Sequence, residues 1–390
     1  MTYFDHAATS PPRREVVEAV LPYLTSDFGN AASQHELGQS AHRALEDARK
    51  RVAARLGARA SEIIFTSGGT ESDNTAVKGI ALAVPRGRHV IISAIEHPAV
   101  LESAAFLERL GYDVTHLPVD HDGLVSVESL QAALRSDTTL VSVQYANNEV
   151  GTIQPIAELA AVTRAAGVPL HTDAVQAAGW LDLDVDRLGV QAMSLSGHKI
   201  GAPKGVGVLY VRRRTPIEPL LHGGGQERGL RSGTTDVASA VGFATALDLV
   251  DLAAAVEVTH RRDALIDQVL GQVEGASLTG HRTERLPGHA SFVFDGVSGE
   301  SVLLQLQERG SMCSSGSACA AGSDEPSPVL LAMGYDGPLA QTAIRLTFDE
   351  RTPEADLVDV ATQVEESVSA VRRLDRSSTI PPSLTLPRVE

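Results

Sequence analysis

Between about residue 40 and residue 250, short apolar runs alternate with stretches whose apolar residues recur at helical spacing. In the segment 40–56, Ala44, Leu45, Ala48, Val52 and Leu56 share one helical face, and Gly57 follows as a stop. Seven runs read as strands: Ile63–Thr66, His89–Ile92, Val114–Leu117, Leu140–Val143, Pro169–His171, Ala192–Leu195 and Val206–Val211. Helical segments such as Ile156–Ala166 separate several of them. Strands apolar at nearly every position are strands buried on both faces. The pattern therefore predicts an α/β fold whose mainly parallel sheet is covered by helices on each side.

The rhythm changes after about residue 250. Val237–Leu265 reads as one long helical stretch rich in Ala and Val, leading into mixed strands and helices. The expected division is a large domain over 15–259, a smaller α+β domain from 1–14 and 260–376, and an extended Ser- and Pro-rich tail over 377–390. No internal repeat is visible. A length of 390 residues suits two domains.

Composition narrows the function. The chain is 43% hydrophobic and 21% charged, as in ordinary globular proteins, and 33 basic against 49 acidic residues give a net charge of −16. Such a balance argues against broad binding of nucleic acid or of an anionic membrane. Arg212–Arg214 forms a small basic run, read as a solvated strand end. Two cysteines, Cys313 and Cys319, cannot make a disulfide framework, so a reducing compartment is expected. Met1–Ser10 lacks the apolar core of a signal peptide, and no run of about 18 apolar residues could span a bilayer. The expectation is a cytoplasmic enzyme with no metal site.

Polar residues cluster where such a sheet binds ligands, past the carboxyl ends of its strands. Ser67-Gly68-Gly69-Thr70-Glu71-Ser72 follows one strand, Glu96-His97-Pro98 the next and Asn147-Asn148-Glu149 another, while Asp173 and Ser196 close two more. Ser196-Gly197-His198-Lys199 sets an amine beside hydroxyl and imidazole donors, with Asp173 and Gln176 just upstream. Pyridoxal phosphate (PLP) needs this set: a Schiff-base lysine, an acid for the pyridine nitrogen, and donors for the phosphate. In the 67–72 turn, glycines let backbone N–H groups approach a phosphate at a helix N-terminus. Thr70 or Ser67 capping that helix is the plainer alternative. His97 could stack on a planar cofactor or move a proton.

Cys319 stands apart. Its neighbours from Ser314 to Ser323 are all small, so nothing there packs a core, and the expectation is an exposed, mobile thiol over 315–323. No Lys or Arg lies near it, and Asp324 and Glu325 follow, so its pKa should stay near or above about 8.5 unless the folded site intervenes. Cys313, beside Met312, reads as a packing residue, with paired thiol chemistry as the alternative.

Nearly the whole chain, from Tyr3-Phe4-Asp5-His6-Ala7-Ala8-Thr9 to Ile344-Arg345-Leu346-Thr347, resembles the PLP-dependent cysteine desulfurases of the class V aminotransferase superfamily. The resemblance is carried by Phe65–Asn74, Asn147–Gly151, Ser196–Lys199 and His222–Arg228, leading into Arg231-Ser232-Gly233-Thr234. Ser314–Cys319 is similar to the cysteine loop of the group I branch, associated with iron–sulfur assembly. The resemblance implies PLP fold type I and conversion of L-cysteine to L-alanine, with the sulfur left as a persulfide on Cys319. It implies that Lys199 holds PLP and takes the Cα proton, that His97 stacks on the ring, and that Asp173 pairs with its nitrogen. Gln176 would bond the phenolic oxygen. Gly69, Thr70, Ser196 and His198 would hold the phosphate, with Thr234 arriving from the second subunit of a homodimer. Asn148 and Arg345 would bind the substrate carboxylate. The expected acceptor is an iron–sulfur scaffold or a tRNA-thiolation protein, with a DNA sulfur-modification pathway also open. Selenocysteine lyases and other class V lyases or aminotransferases share the PLP set and are the alternatives. His6, Gly69, Ala320 and Thr347 depart from the family's commonest residues without removing a catalytic group.

Overall fold

The computed structural model describes residues 1–83, 86–316 and 325–378. All seven apolar runs become strands of one sheet: Ile63–Thr66, His89–Ser93, Asp113–Leu117, Thr138–Ser142, Leu170–Asp173, Ala192–Ser196 and Gly207–Val211. Across the sheet the order is 63–66, 207–211, 192–196, 170–173, 138–142, 89–93, 113–117. The strands between 89 and 196 pair in parallel. Only 207–211 runs antiparallel to both of its neighbours. Every strand except 113–117, at the edge, is buried along its whole length, which is why these runs are apolar without alternation.

Helices cover both faces. In Glu36–Arg55 the buried face carries Ala41, Leu45, Ala48 and Val52, and the His35 ring accepts a hydrogen bond from the Gly38 amide at 3.2 Å as an N-cap. Gly57 ends the helix at φ 63°, where any Cβ would meet the Asp184 carboxylate at 2.9 Å.

One expectation is corrected. The stretch 237–265 is two helices, Val237–Asp248 and Ala254–Gln272. The first is buried on nearly all sides, and Val237, Val241, Phe243 and Leu247 join the core under the large sheet. The second sends Val258, Leu265, Ile266 and Val269 into a different core. A straight helix cannot serve both, so the chain breaks over 249–253, where Asp251 accepts the Ala253 amide at 2.9 Å. The second core packs against an antiparallel sheet of Ile344–Thr347, His289–Phe294 and Ala276–Leu278. The N-terminus crosses to it: Thr2–Tyr3 pairs with Ser311–Met312, and Phe4 is fully buried there. The final helix runs Glu354–Ser378. Residues 379–390, most of the expected tail, lie outside the described residues. No described helix is long and apolar enough to cross a membrane.

Candidate active site

The carboxyl ends of the central strands open into a cavity of about 530 Å³. Gly69, Thr70, His97, Asn148, Asp173, Gln176, Ser196, His198, Lys199 and Arg345 all line it. The fold thus gathers into one site residues as far apart in the chain as Gly69 and Arg345. A second opening of about 490 Å³ adjoins it, lined by 67–71, Ser196, His198, Lys204 and Gly205. The turn into this end is tight. Gly68 sits at φ 155°, and a Cβ on Gly207 would stand 2.5 Å from the Gly68 carbonyl carbon. Gly207 is required for the backbones to approach, whereas Gly68 has open space around it and serves by its φ.

Lys199 follows the strand Ala192–Ser196 in a single helical turn, Gly197–Lys199. Its Nζ donates to the carbonyls of Ala7 and Ala8, the latter at 2.8 Å. Gln176 Nε2 donates to the same Ala7 carbonyl at 3.0 Å. Asp173 ends its strand 7% exposed, and its Oδ1 accepts the Val175 amide at 2.8 Å. Burial raises the Asp173 carboxyl above its ordinary value, while His97 and Lys199 pull it back. His97 caps the helix Pro98–Arg109, its Nδ1 accepting from the Ala99 amide at 3.1 Å. That bond leaves the proton of the neutral ring on Nε2. Burial lowers the His97 pKa, with Asp173 opposing. His198 is pushed down to about 4 by burial and by Lys199 and Lys204, so it is neutral near pH 7. Its Nδ1 lies 3.1 Å from the Thr9 hydroxyl.

At the other end of the cavity, Arg345 is 1% exposed. Its Nη1 donates to the Asn148 carbonyl at 2.7 Å, and its Nη2 pairs with Asp5 at 2.7 Å and meets the Ser314 hydroxyl at 2.9 Å. Its Nε is buried with no hydrogen-bond partner among the described residues. A guanidinium lining a cavity suits a carboxylate ligand. The remaining donors fit PLP by the same test. A buried, proton-seeking Asp173 suits a cationic ring nitrogen, and the hydroxyls, imidazole and Lys204 around the adjoining opening suit a phosphate.

The aminotransferase class-V model matches residues 2–359. The chain belongs to that family. It is 46% identical to "Cysteine desulfurase IscS" of Dictyoglomus turgidum over 376 residues, 95% of each chain. Among solved structures, a "NIFS-LIKE PROTEIN" superposes with a TM-score of 0.88 at 37% identity, covering 95% of this chain and 99% of that one. "SspA in complex with cysteine" gives a TM-score of 0.80 at 37% identity, covering 89% and 99%. The α/β architecture with its seven-stranded sheet is the fold of these class-V neighbours.

One residue named from the sequence is not gathered into the cavity, and another is not described. Thr234 is exposed and does not line it. Cys319, with the whole of 317–324, lies outside the described residues. Cys313 packs at the margin of the second core, its thiol pushed up to about 12 by burial and Asp5, which leaves it unreactive.

Sequence reasoning gave no role to two carboxyl groups that shape the site. Glu96, 2% exposed, accepts from the Ser93 hydroxyl and from the Gln144 amide at 2.8 Å, and burial pushes its pKa up to about 8. Asp73, 1% exposed, is raised well above its ordinary value by burial and Asp173. Two carboxyl groups that favour the neutral form therefore lie near Asp173. The signal for Glu96 was an acidic residue straight after an apolar strand. Asp73 gave none beyond its place on an otherwise apolar helical face.

Proposed function

We infer that this class-V enzyme is a PLP-dependent cysteine desulfurase. The reaction transfers the sulfur of L-cysteine to Cys319 and leaves L-alanine. One observation carries the reading most strongly: Lys199, His97 and Asp173 meet in one cavity that the Arg345 guanidinium also lines. The similarity to cysteine desulfurases and to a structure titled as a complex with cysteine supports the choice of substrate.

PLP, when bound, supplies an electron sink for negative charge developing at the substrate Cα. Lys199 holds the cofactor and then takes the Cα proton and returns it. Asp173 keeps the ring nitrogen protonated, a role for which burial beside His97 and Lys199 has prepared it. His97, neutral and fixed by its bond to the Ala99 amide, presents a flat ring for stacking. Gln176, whose Nε2 donates to the Ala7 carbonyl, would bond the phenolic oxygen of bound PLP. Gly69, Thr70, Ser196 and His198 hold the phosphate. Arg345 and Asn148 orient the substrate carboxylate. The Cys319 thiolate attacks the substrate sulfur. The new S–S bond forms as the sulfur–Cβ bond breaks, and its electron pair stays with Cβ, which is then protonated. Thiol and L-cysteine become persulfide and L-alanine, so atoms and electrons balance.

The functional unit is proposed to be a homodimer. The opening lined by 67–71 and 204–205 lacks Thr234 of its own chain, which is exposed. Helix Arg14–Thr25 leaves Val17, Leu21 and Leu24 between 52% and 64% exposed at helical spacing, and Phe28 beyond it is 68% exposed, a surface suited to a second copy. Transfer from Cys319 to an iron–sulfur scaffold is proposed from the likeness of Ser314–Cys319 to the group I loop, with a tRNA-thiolation protein as the other acceptor. Cytoplasmic location is proposed from the sparse cysteines. Incubation with L-cysteine should yield alanine and protein-bound sulfur in equal amounts. A faster turnover of L-selenocysteine, or alanine formation without bound sulfur, would favour the other class V activities.

A further inference from the structure

Glu71 presents a structural puzzle. It lines the opening that suits a phosphate, in the first turn of the helix Gly69–Ala83, where a fixed negative charge would compete with a phosphate for the same N–H groups and repel it. Its carboxylate is 10% exposed. Burial alone would raise its pKa, but bonds from Arg231 and Ser67 hold it below its ordinary value, so it stays ionised. Arg231 grips it as a fork: Nε to Oε1 at 2.9 Å and Nη2 to Oε2 at 3.2 Å. Oε2 also accepts the Ser67 amide at 2.8 Å. Both oxygens are thereby committed. Arg231 belongs to the segment that carries Thr234, where Gln226 accepts the Gly233 amide at 2.9 Å and Ser232 donates its amide to the Leu221 carbonyl at 3.1 Å.

We propose that Arg231 and Glu71 are a positioning pair for the cofactor phosphate: Arg231 neutralises the Glu71 carboxylate and turns it aside, leaving the turn 68–70 and its neighbouring donors to the phosphate. The inference rests on the reading that the phosphate occupies this opening. Arg231 acts through Glu71 and need not touch the cofactor. The same pair ties each phosphate site to the segment that carries Thr234.

The test titrates dimeric apoprotein with PLP and, separately, with pyridoxal, which lacks the phosphate. Arg231→Gln should weaken PLP roughly tenfold, the scale of one uncompensated like-charge contact, and leave pyridoxal unchanged. Arg231→Lys should keep most of the affinity. Adding Glu71→Gln to Arg231→Gln should restore PLP binding to near the parent value, because the offending charge is gone and one acceptor for the Ser67 amide remains. A double variant as weak as Arg231→Gln alone would overturn the proposal, since the loss would then come from disrupting the segment. So would equal losses for PLP and pyridoxal. Thr70→Ala separates the two ideas. If it too fails to discriminate PLP from pyridoxal, the phosphate site itself is misplaced. If it discriminates and Arg231→Gln does not, only the pair is wrong.

Discussion

Glu227→Gln should destabilise the protein more than any exposed charge change, because it strands a buried cation. Arg49 and Glu227 are 3% and 2% exposed at their side chains. They pair through two bonds, Nη1 to Oε2 at 2.6 Å and Nη2 to Oε1 at 2.8 Å, and Oε2 also accepts the Phe65 amide at 3.0 Å. Glu227 and Arg228 both hold left-handed backbone, at φ 47° and 59°, which costs on the order of 1 kcal/mol each and needs an anchor to persist. Breaking a buried pair from one side costs about 3–5 kcal/mol. Glu46, 2.9 Å from Arg49 Nε and 37% exposed, offsets part of this, so the lower end, about 3 kcal/mol, is expected. At roughly 2–4 °C per kcal/mol for a domain of this size, Tm should fall by about 6–12 °C. Scanning calorimetry of the apoprotein at fixed concentration measures it. Arg49→Met in the Glu227→Gln background should recover part of the loss by removing the stranded charge. A Tm shift under about 1 °C for Glu227→Gln, or no recovery in the double variant, would refute the reasoning.

Three further outcomes are expected. Lys199→Ala should abolish the visible absorption of bound PLP that makes the parent yellow; an unchanged spectrum would remove Lys199 from its role. Heterodimers of Lys199→Ala and Thr234→Ala protomers should regain some activity, since one composite site is then intact, whereas verified heterodimers with none would count against a shared site. Glu96 titrates at about 8 when folded against an ordinary 4.5, so the native state keeps a proton that the unfolded chain loses. Its contribution is full below about 4.5 and is lost as pH rises through about 8, so Glu96→Gln should flatten the fall in urea midpoint across that window; an unaltered slope would mean that Glu96 is charged.

The sheet was legible because six of its strands are buried along their whole length and most carry runs of apolar residues. The break at 249–253 was not, since residues on both sides of it favour helix and only the change of core separates them. Lys199, Asp173, His97 and Ser196 were legible because each follows a recognisable strand. The partners that hold the site in shape were not. Asp5 reaches Arg345 across 340 residues, Glu71 reaches Arg231 across 160, and Arg49 reaches Glu227 across 178. No local spacing encodes such pairs. Nor does any spacing show that Gln176 and Lys199 converge on the carbonyl of Ala7, because backbone acceptors leave no mark in a sequence.

The destination of the sulfur is the most direct test. Holoenzyme mixed with L-cysteine and no acceptor should be digested under non-reducing conditions and read by mass spectrometry, with alanine measured in parallel. The account predicts one added sulfur atom on the peptide bearing Cys319, in step with alanine, none on Cys313, and loss of both products in Cys319→Ser while PLP still binds. Sulfur carried by Cys313, or alanine formed at the parent rate by Cys319→Ser, would contradict it.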